Sequence, residues 1–385
     1  MSIRRREFLK YTGTGASLSL LPVEWLLGSE SAQTQKVAPG LDPRLTWSKA
    51  PCRFCGVGCG VMVGVKDGKV MAVAGDDLNP VNRGLLCIKG YSLPAILYGE
   101  DRYTVPLIRT NGKLKPATWD EALRLVAARF KETLEDQGPA AVAIYGSGQW
   151  TISDGYVASK WFRAGMGSNN VEANARLCMA SAVTGFLSSF GMDEPMGNYD
   201  DIEAADVIVL WGNNMAEMHP VLFSRILEAK RQRPSVRLID IGTRRTPTTE
   251  WADEFIPIRP QGDLALANAI AHAIVESNRV NQNFVRAHTV FRRGKEKIGY
   301  GLEDKFNFVD QPTEMTLEQY KAFLADYAPE KVAALSGVPA ELIGKLAEYY
   351  ADPKLKVVSF WCMGMNQHVR GTWINNLVNN LHLLT

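Results

Sequence analysis

Three of the six cysteines in this chain fall within eight residues, as Cys52-x2-Cys55-x3-Cys59, and a fourth, Cys87, follows after 27 intervening residues in NRGLLCIKG. Cysteines this close bridge one another only with strain. Gly56, Gly58 and Gly60 leave the backbone free to wrap around an object and point amides at it. Zinc accepts four thiolates, yet its loops usually come as two C-x2-C pairs. Three ligands from one loop plus one distant ligand fit a 4Fe–4S cluster better; zinc and disulfides are the alternatives.

Other chemistry-bearing residues are less specific taken singly. Cys178, in NARLCMASAVTGF, reads equally well as a buried small hydrophobe on a helix and as a metal ligand. Lys89, two residues after Cys87, has the ordinary reading of a surface lysine. Cys362, in SFWCMGMNQH, reads as a core cysteine at a strand end rather than a fifth cluster ligand. The five histidines, His219, His272, His288, His368 and His382, form no metal-binding spacing.

Two kinds of element must position these residues. CGVMVGVKDGKVMAVAGDDLNPVNRG alternates apolar and polar residues about a turn at Asp67-Gly68, which predicts a hairpin of Val61–Val65 and Val70–Val73. A small β-rich domain over residues 45–105 would hold the four cysteines. From 106 to 385 the pattern changes to α/β. AAVAIYGSGQW, ADVIVLWGNNMAEMHP, VRLIDIGTRRT, EFIPIRPQGDLALANAIAHAIVE and VVSFWCMGMNQHVRG are each an apolar run with a polar or glycine-containing loop, and helical patterns follow them. That is what a parallel sheet requires, and ligands of such sheets gather beyond the carboxyl ends of the strands. Five strand ends are expected there. Any one of these loops alone is also a plain turn.

The cysteine spacing, the NRGLLCIKG return and the later TWDEALRLVAARF together resemble the molybdopterin oxidoreductases that bind a bis(molybdopterin guanine dinucleotide) cofactor. Within that group the chain most resembles the catalytic subunits of periplasmic nitrate reductases. The resemblance runs over the whole chain, and it implies a 4Fe–4S cluster on Cys52, Cys55, Cys59 and Cys87 and molybdenum on Cys178. Formate dehydrogenases of this group usually place His after the metal-binding residue; here Met179 stands there, as in the nitrate enzymes. The resemblance also places Lys89 between cluster and pterin, where its charge favours an arriving electron. A dinucleotide with diphosphates would explain the recurring polar loops. Gly212 lets the backbone approach, Asn213 and Asn214 suit phosphate oxygens, and Thr243, Arg244 and Arg245 suit phosphate or ribose. Asp263, after Gln261 and Gly262, suits the donor edge of guanine. Gln149, Asn174, Trp211, Met215, Ala216, Glu217, Met218, Gly242, Thr246, Met363 and Gln367 complete the implied cofactor contacts. The implied reaction is reduction of nitrate to nitrite with electrons from a c-type cytochrome. The substrate-guiding arginine of the family is expected past Thr385, with Arg370 as a weak local candidate. A periplasmic formate dehydrogenase, another oxyanion molybdoenzyme and a non-catalytic iron–sulfur electron-transfer module are the alternatives. The last would need only the first 105 residues.

Composition and the two ends bound the reading. A net charge of +2 over 385 residues, with no basic run beyond the N-terminus, gives no support to a nucleic-acid partner. No apolar run reaches 18 residues, so no permanent membrane span is expected. RRREFLK followed by a modestly apolar stretch matches a twin-arginine export signal over residues 1–34, with a basic amphipathic surface helix as the alternative. The signal implies folding around a cofactor in the cytoplasm, a maturation chaperone there, and a periplasmic address. At the other end GTWINNLVNNLHLLT carries apolar residues at helical spacing, Trp373, Leu377, Leu381 and Leu384, and stops without a cap. An N-terminal fragment of a longer enzyme, inactive by itself, is the expectation.

Overall fold

The computed structural model describes residues 40–293 and 313–385; the export-signal stretch lies outside them. The N-terminal part is an antiparallel meander of β1 (Thr46–Pro51), β2 (Gly60–Lys66) and β3 (Lys69–Gly75). The β2–β3 turn is Asp67-Gly68, both with positive φ (51° and 72°), the geometry of the two-residue turn that matches strand twist. The sequence reading found this hairpin and missed β1, whose TWSKAP has little apolar alternation and is largely exposed. β1 matters because its register with β2 pairs Pro51 with Gly60. The segment Cys52–Cys59 is therefore the connection between two paired strands, closed where the Cys52 N–H donates to the Cys59 carbonyl at 2.9 Å.

Beyond β3 the chain passes through an irregular turn before Cys87, and one side chain fixes it. The buried Asn82 amide accepts from the Gly60 N–H at 2.7 Å and donates to the Gly60 carbonyl at 3.0 Å and the Leu85 carbonyl at 2.8 Å. It ties the return loop to the residue that follows Cys59. Two further strands, β4 (Leu107–Thr110) and β5 (Lys113–Pro116), form a separate hairpin. The long helix Trp119–Gln137 follows, started by a capping box between Thr118 and Glu121.

The α/β part is a parallel sheet of four strands in the order β10 (Glu254–Pro257), β9 (Arg237–Gly242), β8 (Val207–Trp211), β13 (Val357–Trp361). β8 is buried at every position, as expected for an apolar run covered on both faces. Ile208, Leu210 and Leu238 pack with the helix Pro220–Gln232 on one side. Val209, Trp211, Ile239, Ile241 and Ile256 pack on the other, with the helices Asp263–Glu276, Ala340–Ala351 and Gly371–Leu384.

Two expectations are corrected. The run ending at Gly146 does form a strand, β6 (Ile144–Gly146), but it pairs in parallel with β7 (Val171–Ala173) in a ladder of its own, so four strand ends meet on the sheet rather than five. A local apolar run announces a strand but not its partner, which non-local packing decides. The remaining pair, β11 (Phe291–Arg293) and β12 (Thr313–Met315), is also separate. In the last helix the fully buried stripe is Ile374, Val378, Leu381 and Leu384, with Trp373 and Leu377 only half-buried, so its first two positions are one residue off the expected face.

Arg225 joins the two parts. Its buried guanidinium, on the helix Pro220–Gln232, donates to Glu203 at 2.6 and 2.8 Å, to Asp200 at 2.7 Å, and to the Pro80 and Val81 carbonyls of the return loop at 3.3 and 3.4 Å. Arg83, from the same loop, meets the same two acids. Arg225→Met is expected to cost about 2 kcal/mol, less than the ~3–5 kcal/mol of a fully enclosed pair because the two acids keep water on one side. Urea unfolding would show it as a lower midpoint at unchanged slope. An unmoved midpoint would deny Arg225 this joining role.

Candidate metal and cofactor site

All four N-terminal cysteines are free thiols packed into one group beneath the sheet face that carries Ile208 and Leu210, with Cys59 and its neighbour Val57 buried. Burial pushes the Cys59 thiol up to about 11, and Cys52, Cys55 and Cys87 add to that rise, so the four sulfurs lie within electrostatic reach of one another. Among the described residues no three His, Cys, Asp or Glu side chains converge as around a single ion. Three thiols on one loop and a fourth on the return loop, close enough to influence one another, suit a polynuclear cluster in which each thiolate takes its own iron.

Two residues brace the cysteine loop from outside, and a third reaches out from beside Cys87. Gln149 donates to the Arg53 carbonyl at 2.8 Å and accepts from the Arg53 guanidinium at 3.2 Å. The Tyr199 hydroxyl donates to the Gly56 carbonyl at 3.3 Å. Lys89 extends from the helix Ile88–Tyr91 to the carbonyls of Met218 at 3.1 Å and Glu217 at 3.5 Å. A fixed positive charge thus bridges the cysteine region and the loop beyond β8. It also helps burial to hold His219 below its ordinary value.

The loops beyond β8, β9 and β13 meet at a glycine pair. Gly212 has φ +55°, and a Cβ there would lie 2.6 Å from the Gly364 carbonyl carbon. Its N–H donates to the Ile241 carbonyl, and its carbonyl accepts from the Gly364 N–H at 3.1 Å. Around this crossing the polar groups divide. Asn214 accepts from Thr248 at 2.9 Å and donates to Glu217, and the Ala216 N–H donates to Thr248 at 2.9 Å, so these residues shape the loop. Asn213 Oδ1 and Thr246 Oγ1 are buried without a partner. Such orphans are costly in a finished core and suit a polar ligand that would satisfy them. Asp263, buried at the start of the helix Asp263–Glu276, is pushed up by burial, opposed by nearby His368. It follows Gly262 and the left-handed Gln261 (φ +66°). Thr243, Arg244 and Arg245 are exposed past Gly242, and the Arg245 guanidinium lies over the Phe255 ring at 5.0 Å. Trp211 and Met215, by contrast, turn their side chains into the core. The Trp211 indole donates to the Tyr350 hydroxyl at 3.0 Å, which leaves only its backbone for the loop.

The third part lies around Cys178. It ends the short helix Ala175–Cys178, which starts after Asn174 beyond β7, and Asn174 accepts from the Gly148 N–H at 2.6 Å. The Cys178 sulfur lies 4.0 Å from the Met363 sulfur and 3.5 Å from the Gln367 amide nitrogen, which donates to it. Three expected site residues, from segments about half the chain apart, thus come together. Burial and the neighbouring Cys178 push the Cys362 thiol up, which places it on the Cys178 side rather than in the four-cysteine group. Sequence reasoning missed Asn82, Tyr199, Arg225, Thr248 and Asn366; each acts through a partner distant in the chain, and no local pattern marks it.

Comparison with known proteins shows the family and the fold. Residues 45–99 match the model of the molybdopterin oxidoreductase Fe4S4 domain, and residues 102–385 match that of molybdopterin oxidoreductase. The fold is similar to that of the solved acetylene hydratase from Pelobacter acetylenicus, with a TM-score of 0.66 at 20% identity over 86% of this chain. The chain spans 42% of the length of that structure. With an Fe4S4 domain ahead of the parallel sheet and its polar strand ends, the chain belongs to the molybdopterin oxidoreductase family.

Proposed function

We propose that this chain is part of the catalytic subunit of a periplasmic nitrate reductase, exported through the twin-arginine route, with a bis(molybdopterin guanine dinucleotide) form of the cofactor. The observation that carries the reading is Cys178 followed by Met179 and set beside Met363 and Gln367. A His after Cys178 would offer a proton acceptor, as formate oxidation needs. Met179 stands there instead, and the groups that touch the sulfur are the Met363 thioether and the Gln367 amide, neither of which takes up a proton in that role.

Cys178 would hold the metal, and Cys52, Cys55, Cys59 and Cys87 the cluster. The cofactor, when bound, supplies the two-electron change and the oxygen-atom transfer. The protein's own part is positional. Gln367 donates toward the Cys178 sulfur and holds part of its charge. Lys89 keeps a cation between the cysteine region and the loop Asn214–Met218. The orphaned Asn213 and Thr246 oxygens await donors from the cofactor, while exposed Arg244 and Thr243 can reach phosphate. A c-type cytochrome is the proposed electron donor.

The test is anaerobic reoxidation of reduced viologen by the full-length enzyme, with nitrate and other oxyanions offered separately. Rapid oxidation with nitrate and formation of nitrite is expected. No response to nitrate from protein shown to carry molybdenum and iron would reject the substrate and turn attention to formate oxidation.

A further inference from the structure

Cys178 is held through its backbone as well as touched at its sulfur. The Asn366 amide donates to the Cys178 carbonyl at 2.9 Å, and the same nitrogen lies 3.9 Å from the Met363 sulfur. Asn366 is fully buried, so its amide orientation depends on what faces its oxygen. That oxygen accepts from the Asn375 amide at 3.0 Å. Asn375, on the helix Gly371–Leu384, also donates to the Gly371 carbonyl at 2.8 Å. With both its amide hydrogens aimed at carbonyl oxygens, Asn375 cannot flip without setting oxygen against oxygen.

The chain of bonds has a direction. The Gly371 carbonyl orients Asn375; Asn375 orients Asn366; Asn366 fixes the peptide of Cys178. Its cost is visible too, because the Asn375 oxygen is buried with no partner. An apolar residue there would avoid that cost, so core stability alone does not account for the asparagine. The neighbouring Asn376 makes a useful contrast. It donates to the Gly185 carbonyl at 3.0 Å and to Ser188 and Ser189 at 2.8 Å, on the helix Ala180–Phe190, and lies outside the chain of bonds to Cys178.

We propose that Asn375 and Asn366 are positioning residues that set the orientation of Cys178 toward the metal. The proposal rests on the reading of Cys178 as the metal-bound thiolate. Outer partners of a metal ligand usually change affinity or rate by about 10–100-fold, which sets the size of the effect.

The experiment uses the full-length enzyme with Asn375→Ala, Asn366→Ser, Asn376→Ala and Cys178→Ser. Molybdenum content, the Mo(V) electron paramagnetic resonance spectrum, kcat and KM are measured for each. Asn375→Ala and Asn366→Ser are expected to shift the spectrum and lower kcat about tenfold with KM little changed. Asn376→Ala is expected to lower Tm without moving the spectrum. A variant with only a packing role would behave like Asn376→Ala, and that result at both Asn375 and Asn366 overturns the proposal. Should Asn375→Ala not accumulate folded, Asn375→Ser is read by the same criteria. A spectrum that moves in Cys178→Ser but in neither asparagine variant rejects the positioning role alone. A spectrum unmoved in Cys178→Ser rejects the ligand reading, and the positioning role falls with it.

Discussion

On the proposed function, Cys178→Ser in the full-length enzyme is expected to lower nitrate-dependent turnover by at least about a hundredfold while leaving the iron content unchanged. The size follows from the ligand's place: removing an outer partner of a metal ligand already costs about 10–100-fold, and the ligand itself stands nearer the reacting atoms. A hundredfold corresponds to ~2.7 kcal/mol of barrier. The selectivity follows from the structure. Cys178 lies on the segment between β7 and the helix Ala180–Phe190 and contacts Met363, Asn366 and Gln367, whereas the four N-terminal thiols belong to the connection between β1 and β2 and to the return loop. Iron, molybdenum and nitrite formation measured on one preparation would decide it. Turnover within a few-fold of wild type would reject the ligand reading, and parallel loss of iron would show that the two sites are not independent.

Gly212→Ala is expected to destabilise the protein by ~3 kcal/mol or more and to abolish molybdenum loading. Two penalties add. The residue sits at φ +55°, where an L side chain costs roughly 1–2 kcal/mol. Its Cβ would also lie 2.6 Å from the Gly364 carbonyl carbon and 2.7 Å from the Met365 nitrogen, both backbone atoms that cannot rotate away, and overpacking of this kind costs about 1–3 kcal/mol. The displacement falls where the loops beyond β8 and β13 cross, next to Asn213. Gly344→Ala supplies the control. Gly344 lies inside the helix Ala340–Ala351 with nothing within 4 Å of an added Cβ, so the same chemical change should stabilise by ~0.5–1 kcal/mol. Urea midpoints for both, with metal content for the first, test the contrast. Equal midpoints for the two variants would refute the close approach.

Much of the site was legible because its parts are local. Cysteine spacing, glycines beside it and the Asp67-Gly68 turn are properties of short stretches, and the structure keeps them as a loop joining two paired strands. The apolar runs at Val207–Trp211, Arg237–Gly242 and Val357–Trp361 likewise became strands, because consecutive apolar residues mark a segment to be covered on both faces, fully for the first and only partly for the last. Trp211 shows the limit. It stands between an apolar run and a polar loop, and only packing shows that its side chain goes to the core while its backbone stays with the loop.

The sequence by itself determined the cysteine spacing, the β2–β3 hairpin, the family and the apolar runs that become the strands of the main sheet, since each depends on covalent spacing. Only the tertiary structure decided that β6 leaves the main sheet, that Lys89 reaches the carbonyls beyond β8, and that Gln367 arrives at Cys178 across 189 residues. It also decided which polar groups act as braces. Asn82, Arg225, Asn366 and Asn375 are ordinary residues in ordinary contexts. What they do depends on partners brought close by packing, and a buried amide or guanidinium gains its role only once water is excluded and a particular carbonyl or carboxylate stands opposite.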